Sequence, residues 1–357
     1  MKRKFLYSLS HKPKYVRFGL LLFAAVLLVI VTQFFYENRH ITSSKLRYTS
    51  LPLFQPHRAA FICIQQAAVV PPIDPEADRW FEQGMALTSE DKYEEDKDYK
   101  TAAVLWAKAA QRKHWKAQNN LAGLYLRGKG VSRDPEKALQ LTEEAMAWGV
   151  PQAWDNMGGY HMQGVGGLKP DATAAYAFWQ KAAEMGAPGA QTYLGAKLLA
   201  TYDNPKEGFW ANEKIGLQML KCALAQEHGR AARELGLEYE MKKTNEDNFR
   251  ALAYYQAGVK FGSQDCADAL DIAFAGGPLD HAAPFVDHDR ERRYQVFGKA
   301  LRDNPDLRFP NLDKVLPLPP AKLPYWDGDE DHLLDAAKEA HPVSPKSVSG
   351  STGNLGT

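Results

Sequence analysis

The sequence predicts an all-α protein, an α-solenoid of stacked antiparallel helix pairs carried on one N-terminal transmembrane helix. Three observations lead there. Small residues that follow an inter-helix turn, Ala117, Ala153, Ala190, Ala231 and Cys266, stand 36, 37, 41 and 35 positions apart, a spacing that signals stacked helical pairs. One apolar run, Phe18 to Tyr36 (FGLLLFAAVLLVIVTQFFY), matches the thickness of a bilayer. Hydrophobic residues make up 45% of the chain at a net charge of +1, which supplies a core and no concentrated basic face for nucleic acid.

Residues 1–17 carry Lys2, Arg3, Lys4, Lys12, Lys14 and Arg17 and no acid. As a helix, residues 18–36 span about 28 Å at about 1.5 Å per residue, close to a hydrocarbon core of about 30 Å. Phe34, Phe35 and Tyr36 form an aromatic belt at the far end. The positive-inside rule places the amino terminus in the cytoplasm and the remainder in the periplasm, on a single-pass inner-membrane anchor. A cleaved signal peptide is the competing reading, because Phe18 to Val31 alone is of signal-peptide length. The following TQFFYENRH, however, has no small residues at cleavage spacing.

Residues 37–73 are expected to be a periplasmic stalk or arm. Pro52, Pro56, Pro71 and Pro72 break any long helix, and Ala59 to Ile64 is apolar enough to add a strand or to lie on the array as an extended arm. Asp74-Pro75-Glu76 then offers an N-cap, a proline at the first helical position and an acid in the first turn. A partner helix is expected to start near Asp98, after the acidic loop SEDKYEEDKD.

The helical array is assigned to residues 74–279. Four residues after each landmark stands an apolar side chain, Leu121, Met157, Leu194, Leu235 and Leu270, one turn up the same face. The next position is small in the first four units, Ala122, Gly158, Gly195 and Gly236, so a neighbouring helix can approach closely there. Eleven residues before each landmark come Trp106, Thr142, Trp179, Leu220 and Tyr255, mostly bulky and expected to wedge between helices. Gly128, Gly130, Gly164 and Gly166 close the landmark helix in the first two units.

WAKAAQRKHWKAQNNLAGLYLRGKGVSRDPEKAL and AYAFWQKAAEMGAPGAQTYLG resemble Sel-one-like repeats, relatives of tetratricopeptide repeats. Ala175, Trp179, Ala182, Ala183, Gly186, Ala190, Leu194 and Gly195 carry the likeness best, which extends from about Tyr99 to Gly277. Lys113 stands in place of a glycine, Thr142 of a tryptophan and Asp271 of a glycine; the last suggests that the array ends there. The resemblance implies a right-handed superhelix that binds protein without chemistry of its own.

Candidate contact residues follow from helix geometry. Two positions past the landmark a side chain points about 200° from the core face at about 100° per residue, which selects Asn119, Asp155, Thr192, Arg233 and Asp268. Trp154 and Tyr193 join them as aromatic residues of the kind that anchor interfaces, although Trp154 also suits a packing role. Trp115 follows Lys113 and His114 in a turn that large side chains are expected to loosen.

Residues 280–340 read as a C-terminal cap and Pro-rich extension. A helix over about Asp287 to Leu301 places Tyr294, Phe297 and Leu301 on one face to cover the end of the array, as a solenoid requires. FPNLDKVLPLPPAKLPYWDGDED follows, dense in proline, with Leu316, Leu318, Leu323, Tyr325 and Trp326 expected to pack back. This segment resembles the extension of membrane-anchored bacterial Sel-one-like proteins, some of which are immunity proteins against type VI secretion phospholipase toxins. The resemblance implies a protein partner of that kind; a cell-envelope assembly scaffold is the alternative. Residues 341–357 read as a disordered tail.

No chemistry is expected. The chain has no G-x-S-x-G elbow, H-E-x-x-H zinc helix or P-loop, and neither a cofactor nor a small-molecule substrate is predicted. The densest ligand-type group, Asp280, His281, Asp287, His288 and Asp289, lacks metal-ligand spacing. Cys222 and Cys266 occupy small core slots, where a disulfide between them is conceivable, while three cysteines leave at least one free or paired between chains.

Overall fold

The structure is a computed structural model that describes residues 51–199, 210–276 and 286–338. The anchor at 18–36, the basic segment before it, the tail from 341, Asp280 and His281 lie outside the described residues. Among the described residues no helix is long and apolar enough to cross a membrane.

Helix α1 (Pro75–Leu87) leads into five antiparallel pairs: α2 (Tyr99–Gln111) with α3 (Trp115–Arg127), α4 (Pro135–Ala147) with α5 (Pro151–Gln163), α6 (Ala172–Met185) with α7 (Pro188–Leu199), α8 (Glu213–Leu224) with α9 (Gly229–Glu240), and α10 (Asn245–Lys260) with α11 (Gln264–Phe274). Each pair packs on the next, which gives an all-α solenoid. The first helix of every pair starts on a side-chain cap. Asp98, Asp134, Asp171, Asn212 and Thr244 each accept the backbone N–H three residues on, satisfying one donor that a helix start leaves free.

The turn inside each pair needs a left-handed residue four positions before the landmark. Gly149, Gly186 and Gly262 supply it at φ 80°, 105° and 85°, and Lys113 and Glu227 adopt the same conformation at φ 62° and 59°. The first turn is therefore as tight as the others, contrary to the expectation drawn from its large side chains. His114 is fully buried: its Nδ1 accepts from the Ala117 N–H at 3.1 Å, its Nε2 lies 3.1 Å from Asp78, and its ring stacks on Phe81.

The expected wedges are present. A Cβ added at Gly158 would lie 2.5 Å from the Trp179 indole, at Gly195 2.9 Å from Leu220, and at Gly236 2.3 Å from Tyr255; Gly84 of α1 receives Trp106 in the same way, at 2.3 Å. The glycines exist to admit these side chains. Trp106 and Trp179 then donate their indole N–H to the carbonyls of Phe81 and Asp155, both at 3.2 Å. At the last unit Asp271 stands in the place of the small residue and accepts from Gln295 of the capping helix at 3.0 Å.

Residues 51–73 form an arm rather than a stalk, and they make no strand. The chain lies extended across α6 and α8. Gln55 N–H donates to Gln180 Oε1 at 2.8 Å, Asn212 Nδ2 donates to the carbonyls of Pro56 and Arg58 at 3.0 Å, Gln191 Nε2 donates to Ile64 O at 3.0 Å, and Gln66 N–H donates to Gln226 Oε1 at 2.7 Å. Cys63 is bonded to Cys222 with their Cα atoms 5.6 Å apart, which corrects the pairing considered for Cys222. Cys266 is free and buried, and burial pushes its thiol up to about 12.

Helix α12 (His288–Asp303) caps α11. Tyr294, Phe297 and Leu301 are buried as expected, with Tyr294 stacked on Phe274 at 5.6 Å. The Pro-rich segment folds back over α12 because two buried arginines hold its carbonyls: Arg290 bonds Pro317 and Ala321, and Arg293 bonds Val315 and Pro324. Phe309, Leu312 and Leu316 are buried, with Leu312 and Leu316 at the ends of a one-turn helix α13 (Leu312–Val315) and its C-cap. Trp326 lies under Arg293. Tyr325, expected to pack, is 92% exposed. The Asp329-capped helix α14 (Glu330–Ala337) buries Leu333 and Ala337 and was not anticipated.

Candidate protein-binding surface

The landmark helices α5, α7, α9 and α11 touch one another from unit to unit, whereas α4, α6, α8 and α10 make no comparable contact among themselves. In a curved stack the more closely spaced set lies on the inner side. The landmark helices therefore line the inner face, and the arm fills the wider gap between α6 and α8 outside.

The five polar positions two past the landmark were expected to point into solvent. They face the next unit instead, because the side of a landmark helix opposite its own pair is flanked by its successor. Asn119 is exposed but accepts from Asn156 at 2.6 Å. The Asp155 carboxylate lies against Gly189 in the first turn of α7, where a Cβ would stand 2.4 Å from Oδ2. Thr192 is only 1% exposed, with Oγ1 2.8 Å from both Pro188 O and His228 Nδ1, so it is a seam residue and not a contact residue. Arg233 reaches Asp265 at 3.2 Å. Asp268 accepts from Gln264 at 3.0 Å and sits against Gly298 of α12.

The seam perturbs two groups. Burial raises Asp155 to about 6, partly countered by the hydrogen bond from Gln152. Burial, with Arg230 nearby, lowers His228 to about 4.

The aromatic candidates divide. Trp115 and Trp154 are half-buried, each with its indole N–H enclosed and no protein acceptor, and Trp154 lies 5.8 Å from Phe178. Both pack between units. Tyr193, half-buried like Tyr176 at 6.2 Å, packs on the buried Trp179 at 4.5 Å. The structure does not bring the eight candidates together; it spreads them along the seam.

It does reveal a groove that the repeat pattern did not point to. Between α9 and α11 a groove of about 310 Å³ has Leu237, Ala269 and Ile272 on its floor and Glu240, Asp265 and Asp268 at its rim, with Arg233 beside them. Tyr255 closes its base, with its hydroxyl donating to Glu240 at 2.6 Å. Among the described residues no group of three or more His, Cys, Asp or Glu side chains is placed to hold a metal ion. Asp287 caps α12 and pairs with Arg290, and His288 pairs with Glu291.

Residues 115–146 and 155–186 match the Sel1 repeat, and residues 270–349 match a domain of unknown function (DUF6396). No curated protein matches the chain. Among solved structures, the immunity protein Pa5087 of Pseudomonas aeruginosa is 35% identical, over 73% of this chain and 95% of that one, with a TM-score of 0.58. PA5086 of the same organism is 33% identical over 74% and 96%, with a TM-score of 0.59. The immunity protein PA5088, also from that organism, is 30% identical over 74% and 95%, with a TM-score of 0.59. The likeness thus runs through almost the whole of each relative, and this chain belongs with them to the Sel1 repeat family.

Proposed function

We propose that this protein is an immunity protein: a periplasmic Sel1-repeat array, anchored in the bacterial inner membrane by residues 18–36, that neutralises a secreted phospholipase toxin by covering it. The observation that carries the reading is the 35% and 30% identity to two proteins described as immunity proteins, each matched over 95% of its length. Inhibition by coverage needs no catalytic residue, only a surface. The periplasmic placement draws support from the Cys63–Cys222 bond, since disulfides persist in oxidising compartments and not in the cytoplasm. Of the sequence-derived candidates, Asn119 is exposed, Trp115, Trp154, Asp155, Tyr193, Arg233 and Asp268 are half-buried, and Thr192 is buried.

The test is survival. Cells that secrete a phospholipase toxin neutralised by this protein are expected to die when its gene is deleted and to live when the toxin gene is deleted with it. Envelope defects that persist without the toxin would replace immunity with a scaffold role. Exchanging residues 1–36 for a cleavable signal tests the anchor separately: full protection by the released array would show that the anchor serves export alone.

A further inference from the structure

The inner face departs from the repeat at its distal end. Six positions past the landmark the first three units carry Gly123, Gly159 and Ala196, while the last two carry Leu237 and Ile272. Stacking does not require these larger side chains. Leu237 is half-buried and Ile272 is 55% exposed, and both line the groove between α9 and α11. Apolar area held open in a groove with a polar rim is the usual form of a surface that a partner covers.

The rim is net acidic, with Glu240, Asp265 and Asp268 against Arg233. Arg233 is the single base among the groove residues, and it is already matched, 3.3 Å from Glu234 and 3.2 Å from Asp265. Asp268 and Glu240 accept from neutral donors, Gln264 and the Tyr255 hydroxyl, and among the described residues neither is paired with a base. Asp265 is 66% exposed at its side chain and faces the groove mouth. Just past the rim, Asp271 is held above the usual carboxylate range, first by burial and also by the charges of Glu291 and Asp268.

We propose that this groove docks a basic segment of the protein partner, with a Lys or Arg side chain on the Asp265–Asp268 rim and an apolar neighbour on Leu237 and Ile272. The proposal rests on the reading that the chain binds a protein, and it adds where and by what chemistry. The acid rim sets the approach and the salt dependence, and the apolar floor sets the residence time.

The experiment measures binding of the purified phospholipase toxin to the full chain in detergent, at low and high salt, with circular dichroism confirming that each variant folds. Asp265→Asn combined with Asp268→Asn is expected to weaken binding about tenfold and to flatten its salt dependence. Ile272→Ser, at an exposed position, is expected to weaken binding about fivefold and leave the salt dependence intact. Glu136→Gln, exposed on α4, serves as the control and should change nothing. Wild-type affinity in both groove variants overturns the proposal. A toxin that fails to bind the wild-type chain overturns the immunity reading instead. The groove is then judged with a defined probe, a peptide of alternating Arg and Leu against its Glu and Leu counterpart, and equal binding of the two peptides refutes it.

Discussion

The seat of Trp179 on Gly158 joins two units, and its energetics reverse sign with background. Replacing Gly158 by Ala puts a Cβ 2.5 Å from indole Cδ1 and Nε1, so the ring must leave both its hydrogen bond to Asp155 O and its packing on Tyr193. Overpacking of this kind costs about 1–3 kcal/mol, and alanine's better helix propensity recovers about 1 kcal/mol. The net effect is a loss of up to about 2 kcal/mol. Trp179→Ala alone empties a site that is 9% exposed and costs about 3–5 kcal/mol. In that emptied background the added methyl group meets no indole, only the propensity gain remains, and the same Gly158→Ala change stabilises by about 1 kcal/mol. The coupling is about 1–3 kcal/mol. Stacked repeats need not unfold as one unit, so the cycle is best read from hydrogen exchange of α5 and α6 amides in all four proteins. If Gly158→Ala has the same sign in both backgrounds, the glycine is not there to admit the ring.

Other joints give further expectations. Lys113→Gly and Glu227→Gly each relieve a left-handed non-glycine residue and should raise the denaturation midpoint, by about 1 kcal/mol in stability. Asp155→Asn should stabilise at pH 7 by up to about 3 kcal/mol, since its folded value is raised to about 6. The stability favoured by protonated Asp155 is complete below 3.8 and lost as pH rises through about 6, so melting curves of the two proteins should converge on acidification. His228 runs the other way: lowered from 6.5 to about 4, it contributes stability that is present above 6.5 and lost as pH falls through about 4, a loss that His228→Gln should abolish. Cys63→Ser should leave helix content unchanged and speed amide exchange in residues 54–66; unchanged exchange would mean the side-chain hydrogen bonds hold the arm alone.

Much of the fold was legible because stacking repeats its demands. Trp179 needs a glycine opposite, a pair needs a cap at Asp171 and a left-handed turn at Gly186, and these recur at a period visible in one dimension. What stayed hidden depends on groups far apart in the chain. Cys63 meets Cys222 across a separation of 159 residues, and no local pattern encodes that pairing. The arm was recognisable as proline-broken and apolar, but its docking rests on Gln180, Gln191, Asn212 and Gln226, which look like ordinary surface polars. The burial of Thr192 in the outward ladder stayed hidden for a related reason. Helix periodicity locates Thr192 relative to its own helix, and only the position of the following unit shows that His228 encloses it. The groove could have been suspected from the change of Gly123, Gly159 and Ala196 to Leu237 and Ile272, a signal that appears once the register is set by the turns.

The arm and the cap together decide which surface remains for a partner. The arm occupies the outer gap between α6 and α8 and is fixed there at both chain levels, by backbone hydrogen bonds and by the Cys63–Cys222 bond. Helix α12 and the folded-back Pro-rich segment cover the last pair, where Arg290 and Arg293 direct their donors at that segment's carbonyls. Along the seam, Thr192 is turned into the next unit and so removed from the surface, and the half-buried Asp155 carboxylate lies against Gly189. At the last two units Arg233 pairs with Asp265 across α9 and α11, Asp268 accepts from Gln264 of its own helix, and Leu237 and Ile272 replace the small residues of the earlier units. The inner face therefore has its groove-lining apolar area, Leu237 and Ile272, and its acidic rim at the same place, next to the cap.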